Sequence, residues 1–210
     1  MLPDPIKKFI DIFSALPSIG SRQATRLAFK LISSGRAKIE ETARAVSDLR
    51  YLKTCSDCFF VHANISVNQR SNQRESVSNL CDICRDPKRR RDIIMIVEKE
   101  TDLISIERTK KFNGRYLVLG DLQKTGMLES VQKLRLKHLK DSVQKEIGVA
   151  EEIIIALNPN TYGDLSTSVI AKELEGYAKK ISRLGRGIPT GGEIEFADDE
   201  TLGQALERRV

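Results

Sequence analysis

The sequence predicts an α+β chain of several modules: a helical segment, a four-cysteine finger, an α/β layer with a mostly parallel sheet, and a glycine-rich loop ending in a short helix. Three observations predict it. Helical apolar spacing fills the first fifty residues. Cys55, Cys58, Cys81 and Cys84, all the cysteines there are, form two pairs with the same two-residue gap. Beyond them, short apolar runs alternate with helical stretches, the pattern of an α/β sheet. The 210 residues are enough for one or two domains with a real core. Apolar content of 40% with 30% charged residues describes a soluble globular protein. The longest apolar runs, Ile93 to Val97 and Ile153 to Leu157, are too short to span a bilayer, and the N-terminus has no basic-then-apolar leader. These features place the chain in the cytoplasm.

In the helical segment, Ile6, Phe9, Ile10 and Phe13 form one amphipathic stripe. Pro17 and Gly20 interrupt it. Ala24, Leu27, Ala28 and Leu31 form a second stripe, and Ile39, Ala43, Val46 and Leu49 a third. Arg22, Arg26 and Lys30 recur four apart on another face of the second helix. The turn from Leu16 to Ser21 ends at a helix N-terminus, where free amides and partial positive charge suit a phosphate oxygen. The residues are read in two ways: as a contact to a DNA backbone, or as a plain helical hairpin with a solvated basic face.

The finger comes next. Two tight Cys-x-x-Cys knuckles supply a tetrahedron of thiolates for one structural zinc ion. The spacer from Cys58 to Cys81 sits near the upper end of the roughly 15–20 residues usual between such pairs. Two disulfides would require an oxidising compartment, and a redox role would require a strand–helix context. His62 is a competing ligand in principle, but four thiolates close the shell and it reads as solvated. The stretch Asn64 to Asn79 is polar, an exposed excursion that starts with a short strand over His62 to Val67. Lys88 to Arg91 follows, either a DNA contact or a solvated linker.

In the α/β layer, Ile93–Val97, Tyr116–Leu119 and Ile153–Leu157 read as strands, and Ile181–Leu184 as a short last one. Helices are expected over Glu100–Arg108, Leu136–Ile147 and Leu165–Lys179. Glu98, Gly120 and Asn158 then fall at the carboxyl ends of strands, where such sheets bind ligands. Neither a phosphate-binding glycine loop nor a nucleophile elbow is present, since Lys124-Thr125 lacks the spacing and no Gly-x-Ser-x-Gly occurs. His138, in a basic helical stretch, reads as solvated. The net charge of +6, with pI near 9.2, is concentrated in basic clusters, whereas Glu193 to Glu200 is acidic. That split fits nucleic acid plus a protein partner, or ordinary solvated surface.

The tail reads Gly185-Arg186-Gly187-Ile188-Pro189-Thr190-Gly191-Gly192-Glu193, then Ala197-Asp198-Asp199-Glu200-Thr201-Leu202. It predicts a glycine-rich loop and a short amphipathic helix.

Several resemblances rest on these residues. The Leu16 to Ala24 turn resembles a helix-hairpin-helix motif, with Ser18 where that motif usually has glycine. The α/β layer resembles a Toprim domain. Glu98 matches that domain's first acid, but Asn158-Pro159-Asn160 stands where its Asp-x-Asp would hold magnesium, a cation that wants anionic oxygen. Over essentially the whole chain the order of modules and the Gly-x-Pro-x-Gly-Gly-Glu string resemble the bacterial RecR family of recombination mediators. The resemblance implies a DNA-repair protein, cytoplasmic and nucleoid-associated. It implies one structural zinc ion on Cys55, Cys58, Cys81 and Cys84, and DNA contacts at Arg22, Arg26 and Lys30. It implies work with RecO and RecF to load RecA onto single-stranded DNA, and self-assembly into a dimer or ring-shaped tetramer. Both single- and double-stranded DNA are expected ligands, without sequence preference, and no membrane. Glu98 falls in the region the family uses to meet RecO. The modules then run 1–53 (helix-hairpin-helix), 54–87 (finger), 88–187 (Toprim) and 188–210 (glycine-rich loop and helix, an oligomer interface). The chain departs from the family in Ser18, in its longer Cys58–Cys81 insert, and over Asp121 to Lys133. The expectation is a non-catalytic clamp and adaptor; the alternative is a metal-dependent phosphodiester-processing enzyme built on Glu98.

Overall fold

The computed structural model describes residues 2–63 and 79–207. Most of the polar insert, Asn64 to Ser78, therefore lies outside the described residues, as does the continuation of its first strand to Val67. The chain divides into two compact units, with the boundary between Leu52 and Lys53.

The first unit is helical. Helices α1 (Asp4–Ser14) and α2 (Ser21–Ser33) pack on each other, and α3 (Arg36–Asp48) follows across a short turn. Pro5 lies in the first turn of α1, where its missing N–H costs nothing. Phe9 and Phe13, one helical turn apart, stack at 4.0 Å. At the start of α2, the Gln23 side chain accepts a 2.8 Å hydrogen bond from the Gly20 amide. Leu49, expected on the third helical stripe, falls instead in a 3-10 turn that closes α3. The contacts between these helices bury two side chains, Ala24 and Ala28. Their small size lets the helices approach, but leaves Leu27, Phe29, Ile32, Ile39, Val46 and Leu49 exposed.

The chain crosses the boundary within β1 (Leu52–Thr54), which pairs with β2 (Val61–Ala63) as a two-stranded sheet, and a single helical turn α4 (Asp82–Arg85) follows in the second unit. It continues as β3 (Ile93–Val97), α5 (Glu100–Arg108), β4 (Arg115–Val118), α6 (Ser130–Glu146), β5 (Ala150–Ala156), α7 (Thr161–Glu173) and β6 (Ala178–Arg183). The four long strands form a wholly parallel sheet in the order β4-β3-β5-β6. A tail follows, a 3-10 turn at Ile194–Phe196 and then α8 (Asp199–Glu207).

Strands β3 and β4 and the second half of β5 are buried on both faces, which explains their unbroken apolar runs, whereas the edge strand β6 is half exposed. On one face, Ile94, Ile96, Leu117, Ile153 and Ile155 meet Leu136, Leu139 and Val143 of α6 and Ile170 of α7. On the other, Met95, Val97, Tyr116 and Val118 meet Leu103 of α5. Phe59, Phe60 and Ile83 of the finger complete that second layer. The finger also covers the sheet edge, because the Val118 amide donates to the Cys58 carbonyl at 2.8 Å.

Several element boundaries differ from the periodicity; α7 starts at Thr161 and not at Leu165, and β6 at Ala178 and not at Ile181. The helix expected to begin at Leu136 starts at Ser130, where the Gln132 side chain accepts from the Glu129 amide at 3.0 Å. The strand expected from Ile153 starts at Ala150, through two glutamates near the sheet margin. The helix expected to reach Lys179 stops at Glu173; Gly176, at φ +85°, turns the chain and Ala178 opens β6. No helix among the described residues is long and apolar enough to cross a membrane.

Candidate metal centre and nucleic-acid interface

The four cysteine sulfurs lie within 4.8 Å of one another. Cys55 and Cys58 turn back on themselves through Phe59, whose amide donates to the Cys55 carbonyl at 3.1 Å and whose φ is +63°. The second knuckle is α4 itself, which carries Cys84 on the turn after Cys81. A bond of 3.0 Å from the Ser56 amide to the Asn79 carbonyl ties the knuckles together. Another, of 3.3 Å, runs from the Cys81 amide to the Cys55 sulfur. Amide-to-sulfur donation of this kind stabilises a thiolate.

The donor set fits a tetrahedral ion. Metal–sulfur bonds of about 2.3 Å imply sulfur–sulfur edges of about 3.8 Å, and Cys58 and Cys81 stand 3.5 Å apart. All four thiols are free of disulfides. The hydrogen bond with Cys58 is the main cause pulling the Cys55 thiol down, and the bond with Cys55 the main cause pushing Cys58 and Cys84 up. Such a cluster needs positive charge before every sulfur can ionise, and a bound divalent cation provides it. His62 does not join the group; its Nδ1 sits 3.1 Å from the Ala63 carbonyl.

The centre is bound firmly to the α/β layer. Asp57, between the first two cysteines, pairs with the guanidinium of Arg115 on β4, and Arg115 also reaches Glu146 of α6 at 2.9 Å. Phe59 lies edge-on to His138 at 5.3 Å, with the Arg135 guanidinium 4.9 Å from its ring centre. His138 is thus half-buried against the finger, whereas its sequence context predicts a solvated side chain. Nothing in that basic helical context signals the packing.

At the carboxyl ends of the strands, β3 and β5 lead to crossovers in opposite directions, making the crevice where parallel sheets place ligands. Glu98 stands there, 8% exposed. Its Oε2 accepts from the Asn158 side-chain amide at 2.9 Å, and its Oε1 accepts from the Leu122 amide at 3.3 Å. Lys99 Nζ lies 3.7 Å from the same carboxylate. Asn160 serves the helix that follows it. Its Oδ1 accepts from the Gly163 amide at 2.8 Å and caps α7. Its place just ahead of a helix is a readable signal for that cap. Asp164 is held by Arg183 at 3.4 Å and by Arg186. Among the described residues, the four cysteines are the group of three or more such side chains gathered closely enough for a metal. A lone carboxylate flanked by amide donors is a poor ligand set for magnesium.

In the helical unit, Arg22, Arg26 and Lys30 are exposed on α2. None has a carboxylate partner among the described residues, and α2 carries no acidic residue. The amides of its first turn point out at the same end. Ser18 in the preceding turn has φ +65°, a left-handed conformation that glycine adopts without strain.

Comparison with known proteins fits these features together. The Toprim domain family matches residues 92–185, and the family described as RecR, C-terminal, matches residues 187–210. Recombination protein RecR of Gloeobacter violaceus is 34% identical, across 100% of this chain and 98% of its own. Recombination protein RecR of Chloroflexus aggregans is 35% identical, across 100% and 95%. Recombination protein RecR of Clostridium perfringens is 35% identical, across 99% and 97%. With such relatives matched almost end to end, the chain belongs to the RecR family of recombination proteins.

Proposed function

We propose that this chain is a DNA-binding mediator of recombinational repair, a non-catalytic clamp and adaptor that acts with RecO and RecF to load RecA onto single-stranded DNA. The observation that carries the non-catalytic part is the bond between Glu98 and Asn158. A site built to hold magnesium would offer carboxylates at both places; here one residue donates a hydrogen to the other. Glu98 is then a partner contact, in the region that meets RecO. Zinc on Cys55, Cys58, Cys81 and Cys84 is a structural staple, one ion per chain, with no open position for substrate.

Arg22, Arg26 and Lys30 carry the DNA contact, through phosphates and without sequence preference, on a helix-hairpin-helix module spanning residues 1–53. The finger covers 54–87 and the Toprim domain 88–187. Self-assembly uses the helical unit and the tail at 188–210. Support comes from the exposed apolar faces of both: Phe29 and Ile32 in the first, Ile194 and Phe196 in the second. A dimer or tetramer formed this way works in the cytoplasm on nucleoid DNA.

Arg22→Ala combined with Arg26→Ala tests the DNA contact by fluorescence anisotropy across a salt series. Each lost phosphate contact should flatten the log–log salt slope by about 0.9 on duplex and about 0.7 on single strands. An unchanged slope removes the hairpin from the interface. Magnesium-dependent cleavage or joining of DNA by the parent chain, lost in Glu98→Gln, would overturn the non-catalytic reading.

A further inference from the structure

The excess charge of the second unit is gathered at one end of its sheet. Residues 85–92 and 107–115 carry nine cations and three carboxylates, an excess equal to the whole chain's +6. The two segments meet at the amino ends of β3 and β4, the opposite end of the strands from Glu98.

Their cations divide into two kinds. Arg89 is largely buried and structural. It pairs with Glu107 and donates to the Gly114 carbonyl at 3.0 Å, and Tyr116 donates to the same Glu107 at 2.7 Å. Arg90 is matched by Asp92, and Arg115 by Asp57 and Glu146. Lys88, Arg108, Lys110 and Lys111 differ: all four are exposed, and none has a carboxylate partner among the described residues.

The backbone holds these four together. The Arg90 amide donates to the Asn113 carbonyl at 2.8 Å, and the Asn113 side chain donates to the Lys88 carbonyl at 3.3 Å. The Lys111 amide donates to the Thr109 hydroxyl at 3.2 Å, and Lys110 is fixed at φ +55°. Gly114 lets the loop lie against β3, since a Cβ there would collide with the Ile93 carbonyl oxygen. The carboxyl end of α5 favours a cation such as Arg108. It does not account for Lys88, which arrives from the finger side.

We propose that Lys88, Arg108, Lys110 and Lys111 form a second polyphosphate-binding surface on this protein, a nucleic-acid backbone contact separate from the α2 stripe. It rests on the proposed DNA-binding function and extends it to the Toprim-like unit. The four side chains form no ion pair among the described residues, Asp86 accepting from the Lys88 amide at 2.9 Å and not from its ammonium. Like charges held together in this way repel one another, and a phosphate backbone relieves that repulsion with release of its counterions. A protein partner is the weaker match. The two segments expose no large apolar side chain, and protein interfaces are built on such residues.

The test uses the full-length protein and fluorescein-labelled oligonucleotides, single- and double-stranded, from about 50 to 200 mM salt. Lys88→Ala, Lys110→Ala and Lys111→Ala are combined and compared with Arg22→Ala plus Arg26→Ala. The triple variant should flatten the log–log salt slope by about 2 units or more, at about 0.7–0.9 per contact. It should also unfold at the parent's temperature. The matching Lys→Arg triple should restore the slope. A triple variant with the parent's slope overturns the proposal, including the case in which the surface serves an acidic protein instead. If the α2 variant alone loses slope, the hairpin contact stands and this one fails. If the triple variant loses slope and the α2 variant does not, this surface stands and the hairpin contact fails. A parent chain that binds neither oligonucleotide overturns both.

Discussion

The helical unit and the finger–sheet unit use the same apolar residue types to opposite ends. In the finger–sheet unit a large apolar core forms on both faces of a parallel sheet, and Ile96, Leu117, Ile153, Ile170 and Leu174 are sealed from solvent. In residues 2–52 the buried side chains are Ala24 and Ala28; Phe9, Phe13 and Leu31 are only partly buried, and Leu27, Phe29, Ile32, Ile39, Val46 and Leu49 face out. A buried leucine or isoleucine contributes about 1.5–3 kcal/mol over an exposed one. The sheet unit therefore holds its stability within one chain. The helical unit leaves part of its own unrealised, which is the observation behind the proposed self-assembly.

The largest expected effect lies in the finger. Structural zinc is worth on the order of 10 kcal/mol in small sites. Cys81→Ser should therefore yield protein without the proposed zinc by elemental analysis, with lost hydrogen-exchange protection at Phe59, Phe60 and Val118. A zinc-free variant with the parent's unfolding temperature would show that the sheet needs no staple. Next comes Leu117→Ala, expected to cost about 2–5 kcal/mol in denaturant unfolding, whereas Leu27→Ala in the helical unit should cost far less. Equal costs would break the contrast between the units.

Arg115→Met leaves the mostly buried Asp57 carboxylate with the His138 ring, 3.9 Å away, as its remaining ion-pair neighbour among the described residues, and should cost about 3 kcal/mol. Combining it with Asp57→Leu should recover much of that loss, which would separate charge from packing. Phe29→Asp with Ile32→Asp should lower the assembled mass in light scattering while leaving the sheet unit's hydrogen exchange unchanged. Smallest is Ser18→Gly. Relieving a left-handed serine should raise stability by about 1 kcal/mol, read as a shift in the denaturant midpoint.

Much of the molecule is legible in its residues. The four cysteines announce a closed site because their spacing makes knuckles in almost any surrounding. Helix α5 has the bounds its sequence predicts, Glu100 to Arg108, since a capping acid, Asp102, and the following loop mark both ends. The end of α7 is not legible in the same way, because Ala178 continues the apolar stripe. The break comes from Gly176, whose backbone conformation no periodicity records. His138 escapes a local reading for a similar reason. Its neighbours in sequence are polar, but its neighbour in space is Phe59.

Residue type and local spacing suffice for the module order, the sulfur ligand set and the replacement of acids by Asn158 and Asn160. What those replacements do follows from the folded chain alone. Asn158 hydrogen-bonds Glu98 across the crevice between β3 and β5, and Asn160 caps α7. The fold likewise sorts cations that are paired within it, such as Arg89 and Arg115, from cations left facing solvent, such as Lys88 and Arg108. Partnership between side chains distant in sequence depends on how the sheet and its loops bring them together, and charge alone does not carry that information.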